Sequence, residues 1–235
     1  MTADAPLCLI FGAGPGNGQA LCDRFRQAGF RVALLARDME RLKAMAGGDT
    51  AIHPVSCDVS ESAAIEAACN DILAKHGAPK VVIDNAGSGM FGTPLDTALA
   101  DFESAWRINA LGLLQTAQSL APAMIENGGG ALLITGATAS LRGGAGFAAF
   151  ASAKAAQRNL AQSLARSLGP EGLHVALFII DGVIDIPRAR ELFGDKPDDF
   201  YMQATDIAET FFHVAHQPPS AWTFEVDLRR SGESW

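Results

Sequence analysis

What most constrains this chain is the order of its apolar runs. Short, continuously apolar segments alternate with longer amphipathic ones along its whole length. Strands are expected at 7–11, 31–35, 52–56, 81–83, 131–135, 174–180 and 222–227. Helices are expected at 17–28, 39–45, 61–75, 101–125, 147–168 and 205–216, with Gly29, Gly47-Gly48, Gly128-Gly129-Gly130, Gly169-Pro170 and Pro218-Pro219 stopping them. A strand with no polar alternation has both faces covered, and strands separated by helices pair in parallel. No linker, repeat or low-complexity stretch interrupts the pattern. The expectation is an α/β protein: a single domain over 1–235, with a doubly wound, Rossmann-type parallel sheet of about seven strands and helices on both faces.

Composition narrows the partners. With 18 basic and 26 acidic residues the formal charge is −8, and no basic run is present. Such a chain is poorly suited to nucleic acid or to an anionic membrane surface, so neither is expected as a partner. Cys8, Cys22, Cys57 and Cys69 show no metal-binding spacing, and nothing completes a site around His213 and His216, so no metal is expected. No apolar run approaches the roughly 18 residues of a membrane span. Met1 to Pro6 carries no basic region before an apolar stretch, so the expected location is the cytoplasm.

The first strand runs into Gly12-Ala13-Gly14-Pro15-Gly16-Asn17-Gly18 and then a helix. Glycines there allow a tight turn and let the backbone approach a pyrophosphate at the positive helix N-terminus. Taken alone, the run fits an ordinary strand-to-helix turn equally well. Further pieces follow in order: Asp58-Val59 after the third strand, Asn85-Ala86-Gly87 after the fourth, and Asn109 within the long helix. Together they resemble the short-chain dehydrogenase/reductase family over essentially the whole chain. The resemblance implies a nicotinamide dinucleotide held by Gly12, Gly16, Asn17 and Gly18, with Asp58 and Val59 flanking the adenine. It also implies that Asn85, Ala86, Gly87 and Gly182 lie along the cofactor. At the end of the second strand Ala36 stands where an NAD-preferring pattern has Asp, and Arg37 follows. A guanidinium there suits a 2′-phosphate, so NADP is expected over NAD.

The chemical end departs from that family. Its members carry a Tyr and a Lys four residues apart on one helix face, assisted by a Ser and an Asn. Here the stretch reads Phe150-Ala151-Ser152-Ala153-Lys154, and the usual Ser position is Ala137. Asn109 and Lys154 remain as the implied catalytic residues; both hydroxyls are gone. The usual Pro-Gly after the sixth strand reads Asp181-Gly182, and Ile186 replaces a Thr. The chain has 13 Phe and a single Tyr, Tyr201, which is expected on the surface beside Asp198 and Asp199. Phe147, Phe150, Phe211 and Phe212 are expected in the core. Thr138, Ser140, Ser152 and Ser88 lie on segments near the site, and Asp181 is expected to play a plain hydrogen-bonding role.

Two readings stay open. One is an NADP-dependent oxidoreductase acting on a small-molecule carbonyl or alcohol with a non-standard proton donor. The other is a catalytically silent NADP-binding protein, a sensor or partner subunit. A purely structural role is opposed by the glycine turn and Arg37. The resemblance implies a homodimer or homotetramer built through the two long helices, and a substrate-covering segment at about 186–204 with no signature that names a substrate.

Overall fold

The computed structural model describes residues 5–194 and 196–233. In chain order the strands are β1 (Leu7–Phe11), β2 (Arg31–Ala36), β3 (Ile52–Ser56), β4 (Val81–Asp84), β5 (Gly130–Ala137), β6 (Leu173–Asp181), β7 (Val183–Ile184), β8 (Tyr201–Met202) and β9 (Glu225–Arg229). The helices are α1 (Asn17–Gln27), α2 (Met39–Ala46), α3 (Ser62–His76), α4 (Leu99–Trp106), α5 (Gly112–Glu126), α6 (Ala148–Leu168), α7 (Pro187–Phe193) and α8 (Ala204–Ala215). Seven strands form one sheet in the order β3-β2-β1-β4-β5-β6-β9. Every pair in it is parallel. The doubly wound sheet expected from the alternation is the sheet observed.

β1 shows why its run is apolar throughout. Successive side chains point to opposite faces, so Cys8 and Ile10 enter one core with Leu21, Phe25 and Phe211 from α1 and α8. Leu7, Leu9 and Phe11 enter the other with Ile65, Leu113 and Leu120 from α3 and α5. The strand order reverses between β1 and β4, and in such sheets ligands bind in the crevice outside the strand C-termini at that point.

Three local expectations change. The helix expected over 101–125 is interrupted: α4 and α5 are joined by a π-helical turn, Arg107–Leu111, with Asn109 inside it. A π-turn depends on one extra residue between bonded groups, and apolar periodicity does not record it. Tyr201 is buried, not on the surface, because the two-stranded pairing of β7 with β8 draws it in. Its hydroxyl donates to Gly194 O at 3.3 Å, and the Arg190 guanidinium lies 4.3 Å from its ring centroid. Of the four phenylalanines expected in the core, Phe211 is there and Phe212 packs against it. Phe147 and Phe150 line a cavity instead.

Candidate functional site

Among the described residues, two of the cavities lie over the C-terminal ends of β1 to β6. The first, of about 250 Å³, is a groove over β1, β2, β3 and β4 lined by Gly12, Ala13, Gly14, Ala36, Arg37, Arg41, Cys57, Asp58, Val59, Asn85, Ala86, Gly87 and Ile108. It collects most of the residues read from the sequence as cofactor-binding. Gly12 is required by geometry: its φ is 73°, and a Cβ there would lie 2.4 Å from the Ala86 Cα. Gly18 brings α1 against β1, since a Cβ on it would stand 3.0 Å from the Ala13 Cα. Gly16, at φ 90°, faces Ile186 Cγ2. No side chain caps the first turn of α1; Gln19 N donates to Gly14 O at 3.0 Å, and the N–H groups of Asn17 and Gly18 ahead of it are the ones an anion could meet.

A polar lattice braces this end. Asn85 Nδ2 donates to Gly12 O at 3.0 Å, while Asn85 Oδ1 accepts from Asn17 Nδ2 at 2.6 Å and from Thr135 Oγ1 at 3.1 Å. Asn17 Oδ1 is buried without a partner. Asp58 would be raised by burial, but the Ser60 backbone N–H and hydroxyl, with Arg37 nearby, hold its carboxyl below the usual range. Arg41 was not visible as a groove residue in the sequence. It stands on α2, and only the Asp38 cap, which accepts from Arg41 N at 3.0 Å, fixes where that helix starts.

Beneath Gly87 two groups converge. A Cβ on Gly87 would lie 3.7 Å from Asn109 Oδ1 and 3.8 Å from Lys154 Nζ. Asn109 is fully buried in the π-turn; its Nδ2 donates to Ala105 O at 2.8 Å and its Oδ1 has no partner. Lys154 Nζ donates to Thr135 O at 2.7 Å and to Gln157 Oε1 at 3.0 Å. Gln157 Nε2 in turn donates to Asp84 Oδ2 at 3.3 Å. Burial pushes the Lys154 amine down to about 8, with Asp84 opposing the shift. Burial pushes Asp84 up to about 6, with Lys154 opposing it. Gln157 lies three residues after Lys154 on one helix face, a spacing the sequence offered; Asp84 reaches it only through the sheet.

The second cavity, of about 640 Å³, is mostly apolar. Phe91, Phe147, Phe150, Phe193, Leu192, Ile180, Val183, Ala137 and Ala139 line it with Thr138, Arg142 and several glycines. Phe150 and Ala137 therefore face it, at the positions where the family that the sequence resembles carries a Tyr and a Ser. Phe91 stacks edge-on against Phe147 and Phe150, with centroids 5.2 and 5.8 Å apart. Gly182 lies on this wall, backed by Met202, and not in the groove. Leu192 and Phe193 of α7, within the expected covering segment, close one side. Of the nearby hydroxyls only Thr138 lines the cavity. Ser140 is buried, its Oγ accepting from Ala137 N at 3.2 Å, and Ser152 is exposed, donating to Ala148 O at 2.7 Å.

The model of the short chain dehydrogenase family matches residues 7–195. An uncharacterized short-chain type dehydrogenase/reductase of Sinorhizobium fredii is 31% identical over 191 residues, 77% of this chain and 72% of that protein. A solved short-chain dehydrogenase from Rhodopseudomonas palustris superposes with a TM-score of 0.81 at 32% identity, covering 95% of this chain and 98% of its own. A metagenomic short-chain oxidoreductase in complex with NADP has a TM-score of 0.83 at 27% identity, covering 99% and 100%. The chain belongs to the short-chain dehydrogenase family of oxidoreductases. No helix among the described residues is long and apolar enough to cross a membrane.

Proposed function

We propose that this protein binds NADP, in preference to NAD, along the groove and oxidises or reduces an apolar alcohol or carbonyl compound held in the adjoining cavity. The observation that carries this reading is the convergence of Lys154 Nζ and the unpartnered Asn109 Oδ1 beneath Gly87. A fully buried amide oxygen without a partner costs about 1–3 kcal/mol, and a sugar hydroxyl or carboxamide would relieve it. The groove fits a dinucleotide on further grounds. Gly14 is open to the site, α1 offers uncapped N–H groups, and Asn17 presents a second orphaned oxygen. The relative that carries NADP supports the same reading.

When bound, the nicotinamide supplies a hydride donor or acceptor. The chain's own residues do the rest. Gly12, Gly16, Asn17 and Gly18 receive the pyrophosphate end, Arg37 and Arg41 meet the 2′-phosphate, and Asp58 and Val59 border the adenine. Asn85, Ala86 and Gly87 carry the strand end on which the cofactor lies, while Lys154 and Asn109 orient its ribose. The phenyl walls desolvate the substrate, and Gly182 lets the chain turn beside it. The segment at 186–204 covers the cavity through α7. α5 and α6 border an apolar groove lined by Ala117, Ala121, Ile125 and Leu164, which a second copy would cover in a homodimer or homotetramer.

The side chain at 150 favours a second reading, a silent NADP-binding protein, because a phenyl ring has no proton to donate. A positioned general acid contributes about 10²–10⁴-fold. Fluorescence titration with NADPH and NADH, followed by a carbonyl turnover screen of wild type and the double variant Ala137→Ser with Phe150→Tyr, separates the two. Brisk wild-type turnover is expected. Tight NADPH binding with activity only in the double variant would establish the silent reading, and failure to bind either nucleotide would refute both.

A further inference from the structure

Asp181 stands between two cavity-lining residues, Ile180 and Gly182, but its carboxylate meets Thr138, just beyond the end of β5, and Arg229 of β9. Thr138 Oγ1 donates its hydrogen bond to Asp181 Oδ1, and Asp181 Oδ2 pairs with Arg229 at 3.3 Å. The side chains of Asp181 and Arg229 are 13% and 17% exposed, so this ion pair is largely shielded from water. Arg229 also pairs with Asp227. Thr138 opens a tight turn, Thr138–Ser140, in which Leu141 N donates to Thr138 O at 2.9 Å. The hydroxyl of this cavity-lining residue is therefore held in place, one residue from Ala137.

A threonine hydroxyl has one proton and two lone pairs. With the proton committed to Asp181, Thr138 offers the cavity an acceptor only. It is the one side-chain hydroxyl among the described residues that line the cavity. We infer that Thr138 and Asp181 form a proton-accepting relay that replaces the missing Tyr and Ser and selects an apolar secondary alcohol as substrate. This rests on the oxidoreductase reading above. The substrate O–H donates to Thr138 Oγ1. As the carbinol C–H bond breaks, its hydrogen leaves with two electrons as hydride to the oxidised dinucleotide. The substrate O–H bond breaks as the C=O bond forms. That proton passes to Thr138 Oγ1, while the former Thr138 proton passes to Asp181 Oδ1 and from there to water. The alcohol is oxidised to a ketone, the dinucleotide is reduced, and Thr138 is unchanged.

Calorimetry with two probes of matched shape, 1-(naphthyl)ethanol and acetonaphthone, reads the acceptor without any turnover. In the absence of nucleotide, wild type is expected to bind the alcohol about fivefold more tightly than the ketone, the value of one net hydrogen bond. Thr138→Val should erase that preference and Thr138→Ser should restore it. With NADP present, Thr138→Val and Asp181→Asn are each expected to lower kcat for alcohol oxidation by roughly 10²-fold or more, with NADPH affinity from fluorescence titration unchanged. Probes that bind with no alcohol preference, a preference that survives Thr138→Val, or an undiminished kcat would overturn the relay while leaving the oxidoreductase reading intact. A wild type that binds neither probe, or binds NADP without any turnover, would overturn both.

Discussion

Removing Arg37 and Arg41 tests the assignment of NADP over NAD most directly. Both guanidiniums line the groove and are exposed, and neither has a carboxylate within ion-pair distance among the described residues. Truncating them therefore breaks no direct ion pair and removes only the longer-range attraction of Arg37 for Asp58, and surface changes of this kind usually alter stability by less than about 0.5 kcal/mol. A hydrogen bond to a charged partner contributes about 1.5–3 kcal/mol, and exposure with salt screening favours the low end. At about 1.4 kcal/mol per decade this is roughly tenfold in affinity for each arginine. Because both would grip one phosphate, their effects need not multiply fully. Arg37→Ala should weaken NADPH binding roughly tenfold and the double variant roughly 30- to 100-fold, while NADH binding stays within about twofold. Intrinsic-fluorescence titrations at low and at physiological salt measure this, and the wild-type preference should shrink as salt rises. Equal wild-type affinity for the two nucleotides, or equal weakening of both by the substitutions, would refute the reasoning.

Other consequences concern stability. Gly12→Ala forces a left-handed residue, costing about 1–2 kcal/mol, and drives a methyl group to 2.4 Å from the Ala86 Cα. Urea denaturation should show a loss of at least about 3 kcal/mol, and a loss under about 1 kcal/mol would contradict the turn geometry. Asn85→Ala strips partners from Gly12 O, Asn17 Nδ2 and Thr135 Oγ1; it should cost about 1–3 kcal/mol and weaken NADPH and NADH alike, and selective loss of one would argue against a bracing role. The pH dependence of stability should carry two signatures. With Lys154 at about 8 when folded against 10.5 when free, the unfolded chain binds more protons between those values, so stability rises with pH across that window. Asp84, at about 6 against 3.8, binds more protons when folded, so its contribution falls as pH climbs through that range. Urea midpoints of Lys154→Met and Asp84→Asn should lose the upper and lower slopes respectively; unchanged slopes would show that neither group titrates as the burial implies.

The architecture was legible because each element announces itself locally. A five-residue run such as Leu7–Phe11, apolar at every position and ended by glycines, is too short for a helix and reads as a strand covered on both faces, and glycines mark the helix ends. Gly12 was legible for the same reason: its turn is built from neighbours in sequence. The groove residues followed, since parallel strands deliver their C-termini to one edge of the sheet. The absence of a Tyr and a Ser at 150 and 137 was legible only because the resemblance to the family marks those two positions.

What the sequence alone determined, then, was the sheet, the glycine turn and the identity of the two missing hydroxyls. Which side chains surround those two positions was decided only by the tertiary structure. Four phenylalanines of one chemistry divide between core and cavity wall: Phe211 and Phe212 of α8 pack in and against the core, while Phe147 and Phe150, at the start of α6, line the cavity. Tyr201 is buried by a two-residue pairing with a distant strand. Asn109 owes its orphaned oxygen to a π-turn, and Thr138 meets Asp181 across 43 positions of chain. Strand and turn propensities act over a few residues, whereas a side chain's hydrogen-bond partner depends on how remote segments are pressed together. For that reason the two absent hydroxyls follow from order along the chain, whereas the partners of Thr138 and the orphaned oxygen of Asn109 follow only from packing across it.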